Sequence, residues 1–358
     1  MGIKVLFIGE IVGKSGVFCV KKLLPKLKEE YALDFVIAAS EGATGGFGIG
    51  KTHSIYLRKL GIDVLTSGEK IFFKKDIVEH LPKAPWHLRP INFPYNCPGR
   101  GWRIYTVGDK KIAVINILGN SGFQRTHLNN PFLILPELAA KAKAETPIVI
   151  VDFHASTTAE KKTMFYMMDG KVSAVIGTHT RSLTADSKVL PGGTAVICDS
   201  GRTGSLNSVG GLEPEIEIKK YMTQLPERSK ECWENLELQG VVLDIDPESG
   251  KALSIEPVRR SCPFVICLIH PVLCAYGKRT LTGIVDGLHL IPVIKDLTAA
   301  GKIRRRHDIK KITTRIFHVS LSSGTYLSQI KRAYVGCHSY CNTLVRIYKD
   351  CRESRGQQ

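Results

Sequence analysis

The sequence predicts an α/β fold with sheets packed between helical layers, on three observations. Short apolar runs of strand length alternate with helix-length amphipathic stretches through the first part of the chain. Later runs favour hairpins. Most of the runs give way to a polar or glycine-rich turn, and five of those turns carry a Glu or a His.

Lys4 to Ile8 is apolar and strand-like, and the turn after it carries Glu10 among glycines 9, 13 and 16. That turn lacks both the Gly-x-Gly-x-x-Gly pattern and the first glycine of a P-loop, so it is not a nucleotide loop by pattern. Cys19 to Glu30 has helical periodicity, with Pro25 an objection to its continuity. Phe35 to Ala39 is a second strand, ending at Glu41 in a glycine-rich loop. A helix over about residues 52 to 60 leads to a third strand, Asp63 to Ser67, which ends at Glu69 and Lys70. A solvated loop acid is the ordinary reading of any one of these carboxylates. Their recurrence at three successive strand ends is what marks them.

Pro82 to Pro98 is rich in proline and aromatic residues and is expected to wrap the surface as a long loop. Trp102 to Val107 and Lys111 to Leu118 form a hairpin turning at Gly108-Asp109, and Pro131 to Ala144 is a helix. Two further strands, Ile148 to Val151 and Val172 to Ile176, run into turns carrying His154 and His179, the second followed by Arg181. In open α/β folds, ligands gather outside the carboxyl ends of buried strands, where loops converge. Two histidines and three carboxylates at such ends make a better candidate site than any of them alone. Ala195 to Asp199, Gly240 to Asp246 and Ala252 to Val258 complete the strands, the last two turning at residues 247–250.

The apolar fraction of 43% suits a globular protein. Residues 1–258 carry 32 Lys and Arg against 28 Asp and Glu, whereas residues 259–358 carry 18 against 5. The excess of charge behind the net +17 therefore lies mainly in a basic C-terminal extension. That extension holds six of the ten cysteines and no recognised fold. Cys337, His338 and Cys341 supply half the spacing of a zinc site, and Arg304 to Arg306 is a basic cluster of the kind that meets nucleic acid or anionic lipid. The start of the chain lacks the pattern of a signal peptide, and no run reaches the ~20 apolar residues of a membrane span. A cytoplasmic location is the expectation.

The segments Lys4 to Gly13, Ser40 to Gly48, Thr66 to Lys70, Ile150 to Ala155, Gly177 to Thr180, Leu190 to Thr194 and Gly240 to Asp246 resemble, in order and spacing, the YmdB-like bacterial metallophosphoesterase family of 2',3'-cyclic-nucleotide phosphodiesterase type. The resemblance covers about residues 1–258. It implies a four-layer α/β/β/α sandwich, two divalent ions of iron or manganese, a phosphorylated small molecule or cyclic nucleotide as substrate, and a homo-oligomer. The ligand positions it implies fall on Glu10, Glu41, Glu69, His154 and His179. Glu10 stands where the family has aspartate and Glu69 where it has asparagine. Gly42 and Arg181 replace an asparagine and a histidine, and Lys70 stands at the family's catalytic histidine.

Those substitutions keep two readings open. One is a metal-dependent phosphodiesterase with attenuated chemistry. The other is a catalytically inactive protein that binds a phosphate or nucleotide through Arg181 and Lys70, the two side-chain cations having taken the place of the metals. A third, nucleic-acid binding through the basic extension, ranks below both.

Overall fold

The computed structural model describes residues 2–123 and 128–263. The chain runs through β1 (Ile3–Ile8), β2 (Glu10–Ile11), α1 (Gly13–Glu30), β3 (Phe35–Ala39), α2 (Lys51–Lys59), β4 (Val64–Thr66), α3 (Lys75–His80), β5 (Trp102–Val107), β6 (Lys110–Leu118) and α4 (Pro131–Lys143). It continues through β7 (Ile148–His154), α5 (Thr158–Met168), β8 (Ala174–Thr178), β9 (Lys188–Val189), β10 (Ala195–Ile197), β11 (Arg202–Ser205), α6 (Pro214–Thr223), β12 (Leu236–Ile245) and β13 (Ala252–Cys262).

Two sheets result. The first has the order β2-β11-β12-β1-β3-β4, with β13 paired along β12; the second has the order β5-β6-β7-β8-β10-β9. Within the first, β1, β3 and β4 are parallel neighbours. Within the second, β6, β7, β8 and β10 are parallel. Parallel neighbours need crossover helices, which α1, α2, α4 and α5 supply.

The burial pattern sets the layers. In β1, Val5 and Phe7 face the space between the sheets, packing with Ile37, Val114, Ile150 and Ile176. Leu6 and Ile8, on the other face, join Val20, Leu24, Leu27 and Leu57 from α1 and α2. Leu135, Ala139, Met164 and Phe165 of α4 and α5 cover Val149 and Val151 on the far face of the second sheet. Strands buried on both faces read as continuous apolar runs, which is why β1, β3 and β7 stood out in the sequence. Each fully buried Leu or Phe contributes about 1.5–3 kcal/mol of transfer free energy. The arrangement is the four-layer α/β/β/α sandwich.

Several local expectations change. Helix α1 begins at Gly13 and runs unbroken through Pro25, which sits on the exposed side, where the carbonyl it leaves unpaired can meet water. Glu10 belongs to a two-residue strand, paired with β11 at Arg202, instead of an open loop. The stretch Pro82–Pro98 is not a surface wrap. His87, Leu88, Arg89 and Asn92 are buried in it, and the Leu88 N–H donates to Leu65 O at 2.8 Å, extending the sheet beyond β4. Arg89 makes this tenable by donating to the carbonyls of Pro90, Cys97 and Pro98. Helices α3, α5 and α6 had no counterpart among the expected elements. Strand β13 continues to Cys262, which pairs with Leu236, four residues past Val258. The basic clusters and the Cys337, His338 and Cys341 group of the extension lie outside the described residues. Among the described residues no helix is long and apolar enough to cross a membrane.

Candidate metal centre

The carboxyl ends of β1, β3 and β4 in one sheet and of β7 and β8 in the other open onto the same place. Glu10 and Glu41 are buried there at 2% and 1% exposure, His154 at 1%, and Glu69 and His179 are partly exposed. The two sheets are tied together beside it by the Ser67 N–H, which donates to Asn116 Oδ1 on β6 at 3.0 Å. A contact of this kind fixes the β4 strand end, and with it Glu69, against the histidine strands.

His154 Nε2 is the focus. Glu41 Oε2 lies 2.8 Å from it, Glu69 Oε2 2.9 Å and His179 Nδ1 3.1 Å. The Thr178 hydroxyl donates to Asp152 Oδ1 at 2.7 Å, so its oxygen is left to accept from His154 Nδ1 at 2.9 Å. That places a ring proton on Nδ1 and turns Nε2 toward the carboxylates, where it would offer its lone pair to a metal ion. Carboxylates and ring nitrogens this close need positive charge between them, from a proton on Nε2 or from a metal ion. A proton on Nε2 would satisfy one acceptor; a divalent ion would satisfy all.

Glu41 Oε2 is in fact buried without a hydrogen-bond donor. Glu69, His154 and His179 can each offer one ligand atom, and those atoms lie within 4.8 Å of one another. The mixed imidazole and carboxylate donor set suits iron, manganese or zinc. At this end of the site the residues fit a metal ion.

The electrostatics follow from the same contacts. Burial works against a charged His154, but Glu41 and Glu69 outweigh it and raise its pKa well above the ordinary imidazole value. Burial would raise Glu69 too, yet hydrogen bonds from His154 and His179 hold it well below the carboxylate range. For Glu41 burial prevails and the pKa is raised. Burial pushes Asp152 up to about 6, against the pull of His154, Thr66 and Thr178.

The other end differs. Glu10 Oε1 accepts from Arg181 Nε at 2.9 Å and from Nη2 at 2.6 Å. Burial would raise the Glu10 carboxyl, but the guanidinium, with His154 and Lys70 behind it, keeps it low. Arg181 also donates to the carbonyls of Gly46 at 2.8 Å and Gly210 at 2.9 Å. Lys70 Nζ pairs with Glu69 Oε1, and its backbone N–H donates to Glu41 Oε1. Burial would lower Lys70, but Glu41 and Glu69 raise it, so it stays protonated at neutral pH.

The loop after β8 carries His179 and Arg181, both with positive φ, 103° and 59°. Such backbone is costly for residues with side chains and persists only where its surroundings hold it. Asp199 does the holding. Its Oδ2 accepts from the Thr180 N–H at 2.8 Å, the Thr180 hydroxyl at 2.7 Å and the buried Lys161 Nζ at 3.3 Å. Phe123 roofs the pair, stacked on His154 at 6.2 Å and edge-on to His179 at 5.0 Å.

All seven residues that the sequence marked out, Glu10, Glu41, Glu69, Lys70, His154, His179 and Arg181, therefore belong to one constellation. Asp152, Thr178, Asp199, Lys161 and Phe123 were missed. Asp152 and Asp199 had a signal, each standing at the end of an apolar run. Arg181 was read as a substrate ligand, but four of its five N–H groups are spent on Glu10, Gly46 and Gly210.

Comparison with known proteins bears on the family and the fold. A family model described as YmdB-like protein matches residues 6–258. A Bacillus subtilis protein named 2',3'-cyclic-nucleotide 2'-phosphodiesterase is 40% identical over 257 residues, covering 71% of this chain and 96% of that one. The crystal structure of a novel phosphatase from Mycoplasma pneumoniae superposes with a TM-score of 0.69 at 32% identity, covering 73% of this chain and 94% of that one. A hypothetical protein from Thermus thermophilus gives 0.68 at 30% identity, with 73% and 100% coverage.

Proposed function

The chain belongs to the YmdB-like protein family, and from that premise we propose that it is a metal-dependent phosphodiester hydrolase acting on 2',3'-cyclic nucleotides. Its metal ligands in this reading are Glu69, His154 and His179, with Glu41 against them. The observation that carries the reading is the approach of Glu41 Oε2, Glu69 Oε2 and His179 Nδ1 to His154 Nε2, with His154 oriented through Thr178 and Asp152.

An iron or manganese ion there would supply Lewis acidity toward a phosphoryl oxygen and lower the pKa of a bound water. The chain's own groups do the rest. Glu41, buried and oriented by the Lys70 N–H, presents a carboxylate oxygen to the cation site. Lys70 stays charged, so it orients an anionic ester and does not take up a proton. Phe123 stacks on His154 and meets His179 edge-on, holding both rings in place. With Lys70 where the family has its catalytic histidine, leaving-group protonation is weakened and turnover is attenuated.

The test is hydrolysis of a 2',3'-cyclic nucleotide by the full chain with manganese. Turnover that disappears on chelation, returns with manganese and is absent in His154→Ala is the expected result. Nucleotide binding without turnover at any metal concentration would replace the hydrolase by the inactive binding protein.

A further inference from the structure

We propose that this chain carries a single divalent ion, and that the Arg181 guanidinium is the site's built-in second cation, admitted by Gly42 and locked onto Glu10. The inference rests on the metal-dependent reading of Glu69, His154 and His179.

Glu10 is the carboxylate a second ion would need, and it is already taken. Both hydrogen bonds that Arg181 sends to it fall on Oε1, at 2.9 and 2.6 Å, in a setting where Glu10 is 2% exposed. A guanidinium keeps its proton at all accessible pH and has no lone pair to give a metal, so Arg181 cannot double as a ligand. Its position is also independent of any ion. Two backbone carbonyls, of Gly46 and Gly210, hold the far side of the fork, and Arg202 Nη1 donates to the Arg181 carbonyl at 3.0 Å.

Space tells the same story. A Cβ at Gly42 would lie 2.9 Å from Glu10 Oε1, closer than side chains tolerate, and 3.0 Å from both Arg181 Nη2 and the Ile11 carbonyl, closer than most. Any side chain at 42 would have to push the pair apart. Gly42 and Arg181 are thus two halves of one device: the absent side chain makes room for the guanidinium, and the guanidinium neutralises the carboxylate left behind.

Charge balance supports the count. Three carboxylates, Glu10, Glu41 and Glu69, face two side-chain cations, Arg181 and Lys70. One divalent ion turns that deficit into a small positive excess suited to a phosphodiester monoanion. A second would crowd two dications and two side-chain cations around three carboxylates.

The experiment is manganese stoichiometry by elemental mass spectrometry on the full chain, loaded and then desalted, beside an Arg181→His variant. About one ion per wild-type chain and a rise toward two in Arg181→His is the expected result. Two ions in the wild type would overturn the inference while leaving the metal-dependent reading intact. None in the wild type would overturn both. An Arg181→His protein that keeps the wild-type circular dichroism and still holds one ion would overturn the claim that the guanidinium excludes the second.

Discussion

The two ends of the strand-end site solve one electrostatic problem in opposite ways. Around His154 the chain gathers carboxylates and imidazoles and leaves the cation to be supplied from solution. Around Glu10 it supplies the cation itself, through Arg181. Both ends hang on the same scaffold, parallel strands whose carboxyl ends converge, and both depend on the strained loop that carries His179 and Arg181. The lesson is that this scaffold fixes where carboxylates meet; the chemistry depends on whether the opposing charge can exchange. A metal ion can bind water and substrate, whereas a guanidinium tied by four hydrogen bonds cannot be exchanged.

The sharpest way to break the comparison is to remove the exchangeable end. His154→Ala should reduce hydrolysis of a cyclic phosphodiester by about a thousandfold or more, equivalent to roughly 4 kcal/mol of transition-state stabilisation. An unchanged kcat/KM in a steady-state assay would show that the reaction lies elsewhere.

The next largest effect should strike both ends together. Lys161 and Asp199 are 1% and 0% exposed, and breaking a buried ion pair by removing one partner costs about 3–5 kcal/mol. Lys161→Met should therefore lower stability by that order in a denaturant melt, and loosen His179 and Arg181 alike. Gly42→Ala should separate the ends. Forcing a methyl against the Glu10–Arg181 pair should cost about 1–3 kcal/mol in the same melt, while manganese affinity at His154 stays near wild type. Thr178→Val acts at the other end. It removes the acceptor that fixes the His154 tautomer and should weaken manganese binding in calorimetry by about 10–100-fold, while the loss of this partner for buried Asp152 and His154 should cost about 1–3 kcal/mol in the melt.

How far these contrasts were visible in the sequence depends on what each residue does. The layered fold was legible because strands buried on both faces carry unbroken apolar runs, as residues 5–8 of β1, the whole of β3 and residues 148–151 of β7 do. Helix α5 had a usable signature, Thr157 at its cap with Glu160 three residues on, but the Glu160 side chain is diverted to the backbone of Asn120 and Ser121. The burial of Pro82–Pro98 was not legible, since it depends on Arg89 reaching carbonyls up to nine residues away. Glu10, Glu41, Glu69, His154 and His179 could be marked because each follows a strand-like run. Asp152 also follows such a run, but its role was not legible, because only the pairing of β7 with β8 sets it against Thr178. Gly42 was readable as a missing ligand, but its use as space for Arg181 needed coordinates.

The most direct test of the account is anomalous diffraction from crystals of the full chain soaked in manganese. A single strong peak is expected at coordinating distance, about 2.0–2.3 Å, from Glu69, His154 and His179, with Arg181 still on Glu10. A second peak beside Glu10, with the guanidinium displaced, would contradict it.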